Sequence, residues 1–334
     1  MATPLPPSVL AEAMDLAIGL GERARQIAPP NPWVGAVIVD STGALVGQGS
    51  TLAPGEAHAE VVALRDAGDA AKGATLIVTL EPCSHHGRTP PCVDAIVAAG
   101  VERVVVGVED PDPNVHGTGI EALRKAGIEV IVGVEHDAVE ESLRAYLHHR
   151  TTGRPYVVVK LAATLDGRTA APDGSSKWIT AEPARQDVAA LRARCDAILV
   201  GAGTVRRDDP ALTARTTPAP DRQPQRFVLG SIPDGAKVLP AESLEGDLER
   251  ILADLGQRGI IELLVEGGAT TAHAFISQGL VNRAVIYFAP AFMGGDDGFG
   301  LLAGPGAPSI DGILRGRFVS VVQIGDDLRV EVEL

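Results

Sequence analysis

His58-Ala59-Glu60 is followed 25 residues later by Pro82-Cys83 and then by Pro91-Cys92. One imidazole and two thiolates make a three-ligand zinc set with the fourth tetrahedral position left for water, whereas structural zinc sites are closed by four protein ligands. A carboxylate stands two residues from the imidazole. Zinc with an open position activates water, and a glutamate that is not a ligand shuttles protons, which is the chemistry of hydrolytic deamination at a nucleobase-type ring. His58, Cys83 and Cys92 are therefore the expected Zn2+ ligands, and Glu60 the expected proton shuttle. Cys83 and Cys92 could instead be buried apolar thiols, the ordinary state of free cysteine. That alternative leaves the flanking prolines and the His-Ala-Glu without a purpose. Cys195, in Ala193-Arg194-Cys195-Asp196, has no partner motif and reads as core.

On a regular helix His58 and Glu60 would point about 200° apart. They can serve one metal only if the pair opens a helix, and residues 58–67, stopped by Gly68, read as one. Cys92 likewise opens a helix over 92–99, closed by Gly100, where the macrodipole eases loss of the thiol proton. Further helices are expected at 8–20 and 121–126, and strands at 34–39, 74–80, 101–108 and 128–132. Continuous apolar strands alternating with helices predict a largely parallel sheet covered on both faces. The periodicity breaks at 146–155. With 334 residues, more than a single core of about 250–300 usually holds, the chain divides into domains at 1–147 and 148–334.

The second half starts again with a strand at 156–160, a helix at 184–194 and a strand at 197–200. A proline-rich loop spans 217–224, and a strand at 261–265 runs into a helix from 270. Residues 318–324 and 328–334 alternate around Gly325-Asp326 and read as a hairpin. Gly201-Ala202-Gly203-Thr204-Val205-Arg206 lacks the third glycine of a dinucleotide fingerprint. Glu266-Gly267-Gly268-Ala269-Thr270-Thr271 is the better phosphate site, since it follows an apolar strand and opens a helix whose free N–H groups face an anion. A plain strand–helix turn is the alternative.

Composition bounds the class. Apolar residues make up 45% and charged residues 22%, the balance of a globular protein, and the net charge of −14 argues against a broad nucleic-acid footprint. Three cysteines do not make a disulfide framework. The N-terminal helix lacks a basic leader, and no apolar run approaches the length of a membrane span. A cytoplasmic enzyme is expected.

Pro30-Asn31-Pro32-Trp33-Val34-Gly35, His58-Ala59-Glu60 and the run Thr79-Leu80-Glu81-Pro82-Cys83-Ser84-His85-His86-Gly87-Arg88-Thr89-Pro90-Pro91-Cys92 resemble the riboflavin-biosynthesis deaminase–reductase family. Cytidine and tRNA deaminases usually carry Cys-x2-Cys rather than this eight-residue spacer. The resemblance covers essentially the whole chain. It implies an α/β protein with a cytidine-deaminase-like three-layer domain followed by a dihydrofolate-reductase-like domain. It also implies two reactions: zinc-dependent deamination of a phosphoribosylamino-pyrimidine, then NADPH-dependent reduction of the ribose to ribityl. By position, Asn31, His85 and Arg88 would contact the pyrimidine or its phosphate, although His85 and His86 could be solvated loop residues. The chain departs from the family at Thr51, where many members carry His, and at Pro30, where many carry His or Ser.

In the second half, Lys160-Leu161-Ala162, Leu165-Asp166-Gly167-Arg168, Ser176-Lys177-Trp178-Ile179-Thr180, Asp208-Asp209-Pro210-Ala211-Leu212-Thr213 and Val265-Glu266-Gly267-Gly268 are similar to the reductase half of that family. The resemblance implies that Ala162, Trp178, Thr204, Asp208, Ser231, Gly267, Gly268, Ala269, Thr270 and Thr271 line the NADPH site. It implies that Ser176, Arg192, Leu212, Arg215 and Glu266 face the substrate. Trp178 could equally be core, and Arg192 a solvated helix residue. Gly230 replaces a common Asp, and the segment 216–259 is short. The expected partners are small phosphorylated substrates and a second copy of the chain, with no nucleic acid and no membrane. A nucleic-acid deaminase with an accessory domain is the competing reading, and the acidic charge disfavours it.

Overall fold

The computed structural model describes residues 5–113 and 115–334. The chain forms two compact units, Met1–Gly153 and Arg154–Leu334. The first runs α1 (Pro7–Ala24), β1 (Gly35–Val39), β2 (Leu45–Ser50), α2 (Ala59–Ala67), β3 (Thr75–Leu80), α3 (Cys92–Ala99), β4 (Arg103–Val108), α4 (Thr118–Lys125), β5 (Glu129–Val132) and α5 (His136–Thr152). Its sheet has the order β2-β1-β3-β4-β5. Strands β3, β4 and β5 are parallel, while β1 is antiparallel to both of its neighbours. The sheet is thus mixed rather than largely parallel.

Two misreadings of the sequence have local causes. Strand β2, Leu45-Val46-Gly47-Gln48-Gly49-Ser50, is only partly buried and carries two glycines, so it has no apolar run to betray it. Helix α5 passes through the expected break at 146–155 and ends at Gly153, whose φ of 70° suits a residue without Cβ. Its buried positions Val139, Leu143 and Tyr146 keep helical spacing, but the polar His148-His149-Arg150 hides it. By contrast β1, β3 and β4 are buried at every residue, as their unbroken apolar sequences require.

The glycines of β2 set the height of α2. A Cβ on Gly47 would lie 2.6 Å from the Ala63 carbonyl oxygen, and one on Gly49 would lie 2.6 Å from that of Ala59. The helix that begins beside His58 therefore rests on bare backbone.

The second unit runs β6 (Tyr156–Thr164), β7 (Arg168–Ala170), α6 (Glu182–Arg194), β8 (Ala197–Gly201), α7 (Ala202–Asp208), β9 (Gln225–Leu229), β10 (Glu242–Leu244), α8 (Leu248–Gln257), β11 (Glu262–Val265), α9 (Ala269–Ser277), β12 (Arg283–Ala289), β13 (Phe299–Gly300), β14 (Arg317–Ile324) and β15 (Asp327–Glu333). Eight strands make one sheet in the order β10-β9-β8-β11-β6-β12-β15-β14. The first six are parallel, and the C-terminal hairpin β14–β15 adds antiparallel to β12. Strands β7 and β13 pair as a separate ribbon. Val159, Leu199, Leu263 and Val265 from the sheet pack with Leu252, Leu255 and Phe275 from the helices. Cys195 is buried, as its sequence surroundings imply.

One buried carboxylate stitches the parallel strands at their starts. Asp196 accepts the Ile261 and Glu262 N–H groups at 2.9 Å each and pairs with Arg222. Replacing it by alanine leaves two buried N–H groups unpaired, at about 1–3 kcal/mol each. Asp196→Ala should therefore lower the stability of the second unit by about 2–5 kcal/mol, read as a lower denaturant midpoint, while zinc content is unchanged.

Candidate functional site

In the first unit, three helix starts and strand ends deliver the chemistry-bearing residues. His58 is the extended N-cap of α2, and Glu60 lies in its first turn. Cys92 is the first residue of α3, and Cys83 follows β3, where its carbonyl accepts the Val93 N–H at 3.2 Å. The His58 Nδ1 atom lies 3.6 Å from Cys83 Sγ and 3.3 Å from Cys92 Sγ. All three donor atoms fall within 4.8 Å of one another. Zinc bonded tetrahedrally to nitrogen and sulfur sets an N···S edge of about 3.5 Å, from bond lengths near 2.0 and 2.3 Å. The geometry fits that ion.

The charges make the same point. Hydrogen bonding from Cys92, with a further contribution from His58, pushes the Cys83 thiol down to about 4. The same contact with Cys83, together with burial, pushes the Cys92 thiol up. One thiol of the pair thus ionises while the other stays protonated, and a bound cation would favour ionisation of both. Glu60 is buried, and desolvation, followed by the charge of Cys83, pushes its carboxyl up to about 7. The other ring nitrogen of His58 lies 3.3 Å from Thr89 Oγ1, a partner of the kind that fixes ligand orientation. Thr89 sits inside the run quoted above, but no spacing rule singles it out.

The remaining residues expected around this pocket divide by environment. Asn31 is half-buried, and its loop is held from several sides. Arg150 donates to the Pro30 carbonyl at 3.3 Å, Trp33 Nε1 donates to the Ser142 carbonyl at 3.1 Å, and the Thr51 hydroxyl accepts the Val34 N–H at 3.2 Å. Thr51, where relatives of the resembled family often carry His, is thus a buried loop fastener. His85, His86 and Arg88 are exposed on the loop between the two cysteines.

In the second unit, several of the expected cofactor and substrate residues lie at or just beyond the carboxyl ends of adjacent parallel strands, the usual ligand edge of such sheets. Ala162 is near the end of β6, and Thr204 follows β8. Glu266, Gly267 and Gly268 follow β11, and Ser231 follows β9. Gly268 is the N-cap of α9, with Ala269, Thr270 and Thr271 in its first turn. The Gly268 N–H donates to Thr204 Oγ1 at 3.0 Å. A Cβ on Gly267 would lie 2.3 Å from Thr271 Cβ, so that glycine is required by packing. At Gly268 a Cβ would meet only Thr204 Oγ1, at 3.3 Å, and otherwise open space. These first-turn N–H groups and the open cradle fit a cofactor phosphate.

Two alternatives are decided by the coordinates. Trp178 is 71% exposed under the Arg185 guanidinium, so it is not core. Arg192 is not a solvated helix residue: it makes two bonds to Glu266, at 2.5 and 2.9 Å. Lys160 lies 3.6 Å from the same carboxylate. Burial pushes Glu266 up, but Arg192 and Lys160 more than offset this and hold it below its ordinary range. Lys160 stands in a quoted motif, yet its pairing could not be read from spacing. Lys177 Nζ donates to the Asp208 carbonyl at 3.1 Å, joining the Ser176–Trp178 loop to the end of α7. Leu212 is buried with a φ of 50°, whereas Arg215 and Ser231 are exposed.

Residues 7–108 match the cytidine and deoxycytidylate deaminase zinc-binding region, and residues 155–330 match the RibD C-terminal domain. The riboflavin biosynthesis protein RibD of Mycobacterium tuberculosis is 45% identical, over 95% of each chain. That of Escherichia coli K12 is 40% identical, over 94% of this chain and 96% of that one. Among solved structures, RibD of Acinetobacter baumannii superposes with a TM-score of 0.90 at 37% identity, covering 98% of this chain and 99% of that one. A deaminase/reductase of Thermotoga maritima gives 0.87 at 33% identity, with the same coverage. With both halves matched in order and the relatives spanned nearly end to end, the chain belongs to the RibD family, the bifunctional deaminase–reductases of riboflavin biosynthesis.

Proposed function

We propose that residues 1–147 deaminate 2,5-diamino-6-(5-phosphoribosylamino)pyrimidin-4-one, and that residues 148–334 reduce the ribose of the resulting 5-amino-6-(5-phosphoribosylamino)uracil to ribityl with NADPH. The observation that carries the reading is a buried carboxylate, Glu60, beside one imidazole and two thiols on a chain whose other half is a RibD reductase domain. The match to that reductase domain also disfavours the nucleic-acid deaminase reading.

His58, Cys83 and Cys92 hold zinc in this proposal. When bound, it supplies Lewis acidity that brings the pKa of water to about 7. Glu60 takes a proton from the attacking water and delivers it to the adjacent ring nitrogen, then carries the adduct's hydroxyl proton to the departing amino nitrogen, so that ammonia leaves as the ring carbonyl forms. Asn31, His85 and Arg88 hold the pyrimidine and its phosphate. In the second unit, the α9 N-terminus seats the cofactor pyrophosphate on Gly267, Gly268 and the first turn through Thr271, with Ala162, Trp178, Thr204, Asp208 and Ser231 around it. Ser176, Arg192, Leu212, Arg215 and Glu266 face the ribose and its phosphate. The bidentate Arg192–Glu266 pair keeps a cation at that edge of an acidic chain. Arg206 and Arg207, exposed on α7, supply charge for the 2′-phosphate that separates NADPH from NADH.

The chain also self-associates in this reading. Phe318, Val321 and Val322 are 70%, 57% and 48% exposed on β14, an edge strand of the eight-stranded sheet. Such an edge invites pairing with another strand. Among the described residues no helix is long and apolar enough to cross a membrane, and reduced thiols suit the cytoplasm.

Incubation with the deaminase substrate, with and without NADPH, and product identification by mass tests both activities together. Glu60→Gln should keep its zinc and lose deamination by about 10²–10⁴-fold. Near-normal turnover, or loss of metal, would overturn the shuttle role. Cys83→Ser and Cys92→Ser should lose zinc while still reducing pre-deaminated substrate, and Cys195→Ser should keep the metal. Gly268→Val should quench dinucleotide binding without unfolding, because the site has room for a side chain but then none for phosphate. Fluorescence titration should show NADPH preferred to NADH, and equal affinities would sink the cofactor assignment. Light scattering should give a multiple of the 34.6 kDa chain mass, reduced in Phe318→Asp.

A further inference from the structure

Glu81 lies two residues before Cys83, is buried, and has no part in the chemistry above. Its carboxylate is fully engaged by backbone. Oε1 accepts the Gly119 and Ile120 N–H groups at 2.9 and 3.1 Å, and Oε2 accepts those of Gly117 and Asp110 at 2.9 and 3.3 Å. Gly117 is the N-cap of α4, so Glu81 caps that helix from another element, with the dipole favouring its charge. Its own N–H donates to the Val108 carbonyl at 3.0 Å, at the end of β4. One side chain thus fastens the exit of β3 to the exit of β4 and the start of α4.

The segment that follows is pinned from the same helix. A Cβ on Gly119 would lie 1.9 Å from the Pro82 carbonyl oxygen, so α4 touches Pro82 through a residue that has no side chain. The Thr118 and Ser84 hydroxyls, on either side of that contact, are 2.7 Å apart. Cys83 stands between Pro82 and Ser84. Its sulfur has only the freedom that these two contacts leave it.

We propose that Glu81 is a positioning residue for the Cys83 thiolate, acting through α4: the four N–H bonds hold Pro82-Cys83-Ser84 against Thr118 and Gly119, at the distance from His58 and Cys92 that a tetrahedral metal requires. The inference rests on the assignment of Cys83 as a zinc ligand. A glutamine at this position keeps the shape but turns an NH2 group toward two N–H donors, which releases one side of the clamp.

The test compares full-length Glu81→Gln with the unsubstituted protein in the rate of zinc transfer to a chelator and in the thiolate-to-metal charge-transfer absorption of the cobalt-substituted form. Zinc release should be faster by about 10- to 100-fold, the usual effect of removing a residue that orients a ligand, and the cobalt absorption should weaken or shift. Gly119→Ala, whose Cβ would press on the Pro82 carbonyl oxygen at 1.9 Å and approach Glu81 Oε1 at 3.2 Å, disturbs the same clamp from the helix side and should do the same. Val105→Ala, a core change in β4, should lower the melting temperature and leave both readouts unmoved. If Glu81→Gln matches the unsubstituted protein in both readouts, or matches Val105→Ala, the positioning role is wrong. Cys83→Ser separates this outcome from failure of the ligand assignment: should that variant keep its zinc, the ligand set itself is at fault.

Discussion

The carboxyl ends of parallel strands all lie on one edge of a sheet, and in both units the reactive groups depend on that constraint. In the first, β3 and β4 end side by side, so Cys83 and the loop after Val108 emerge together. In the second, β8 and β11 end close together and release Gly201 and Glu266, while β6 runs past them so that its Ala162–Thr164 segment extends beyond Val265. Helices follow these ends, and their first N–H groups have no intrahelical partner. A buried acceptor from another element is one way to satisfy them. Glu81 does so at α4, and Cys83 Sγ accepts the Cys92 N–H at 3.4 Å at the start of α3; the α9 start is where the proposed cofactor phosphate would do the same.

The two units treat burial of charge differently. In the first, two thiols and a carboxylate crowd a pocket with one imidazole, and Cys92 and Glu60 are both pushed toward their neutral forms. In the second, Glu266 is balanced from within by Arg192 and Lys160. Removing one partner from such a pair typically costs more than the pair contributes, because a buried charge is left alone. A cation in the first pocket would favour the ionised thiols, while in the second the charge of Glu266 is balanced by residues of the chain itself.

Much of this was legible in the chain. Strands β1, β3 and β4 announced themselves by unbroken apolar runs, and the requirement that His58 and Glu60 open a helix follows from the 3.6-residue repeat alone. Other parts were not. Strand β2 is recognised by what packs on it, since Gly47 and Gly49 look like turn residues until α2 is laid against them. Helix α5 was masked by a polar exposed face. The roles of Glu81, Thr89 and Lys160 depend on partners 30 or more residues away, and no local periodicity encodes such pairings. Trp178 shows the converse: its type suggests a core residue, yet only its setting reveals it as an exposed ring beneath Arg185.

The loop between Cys83 and Cys92 has a separate significance. Cys83 belongs to the exit of β3 and Cys92 to the start of α3, so neither sulfur depends on the conformation of residues 85–88, which face solvent. The proposed ring contacts at His85 and Arg88 would therefore rest on a different support from the two sulfurs. Residues 85–88 could be rewritten without touching either sulfur, provided Thr89 keeps its place against the His58 ring.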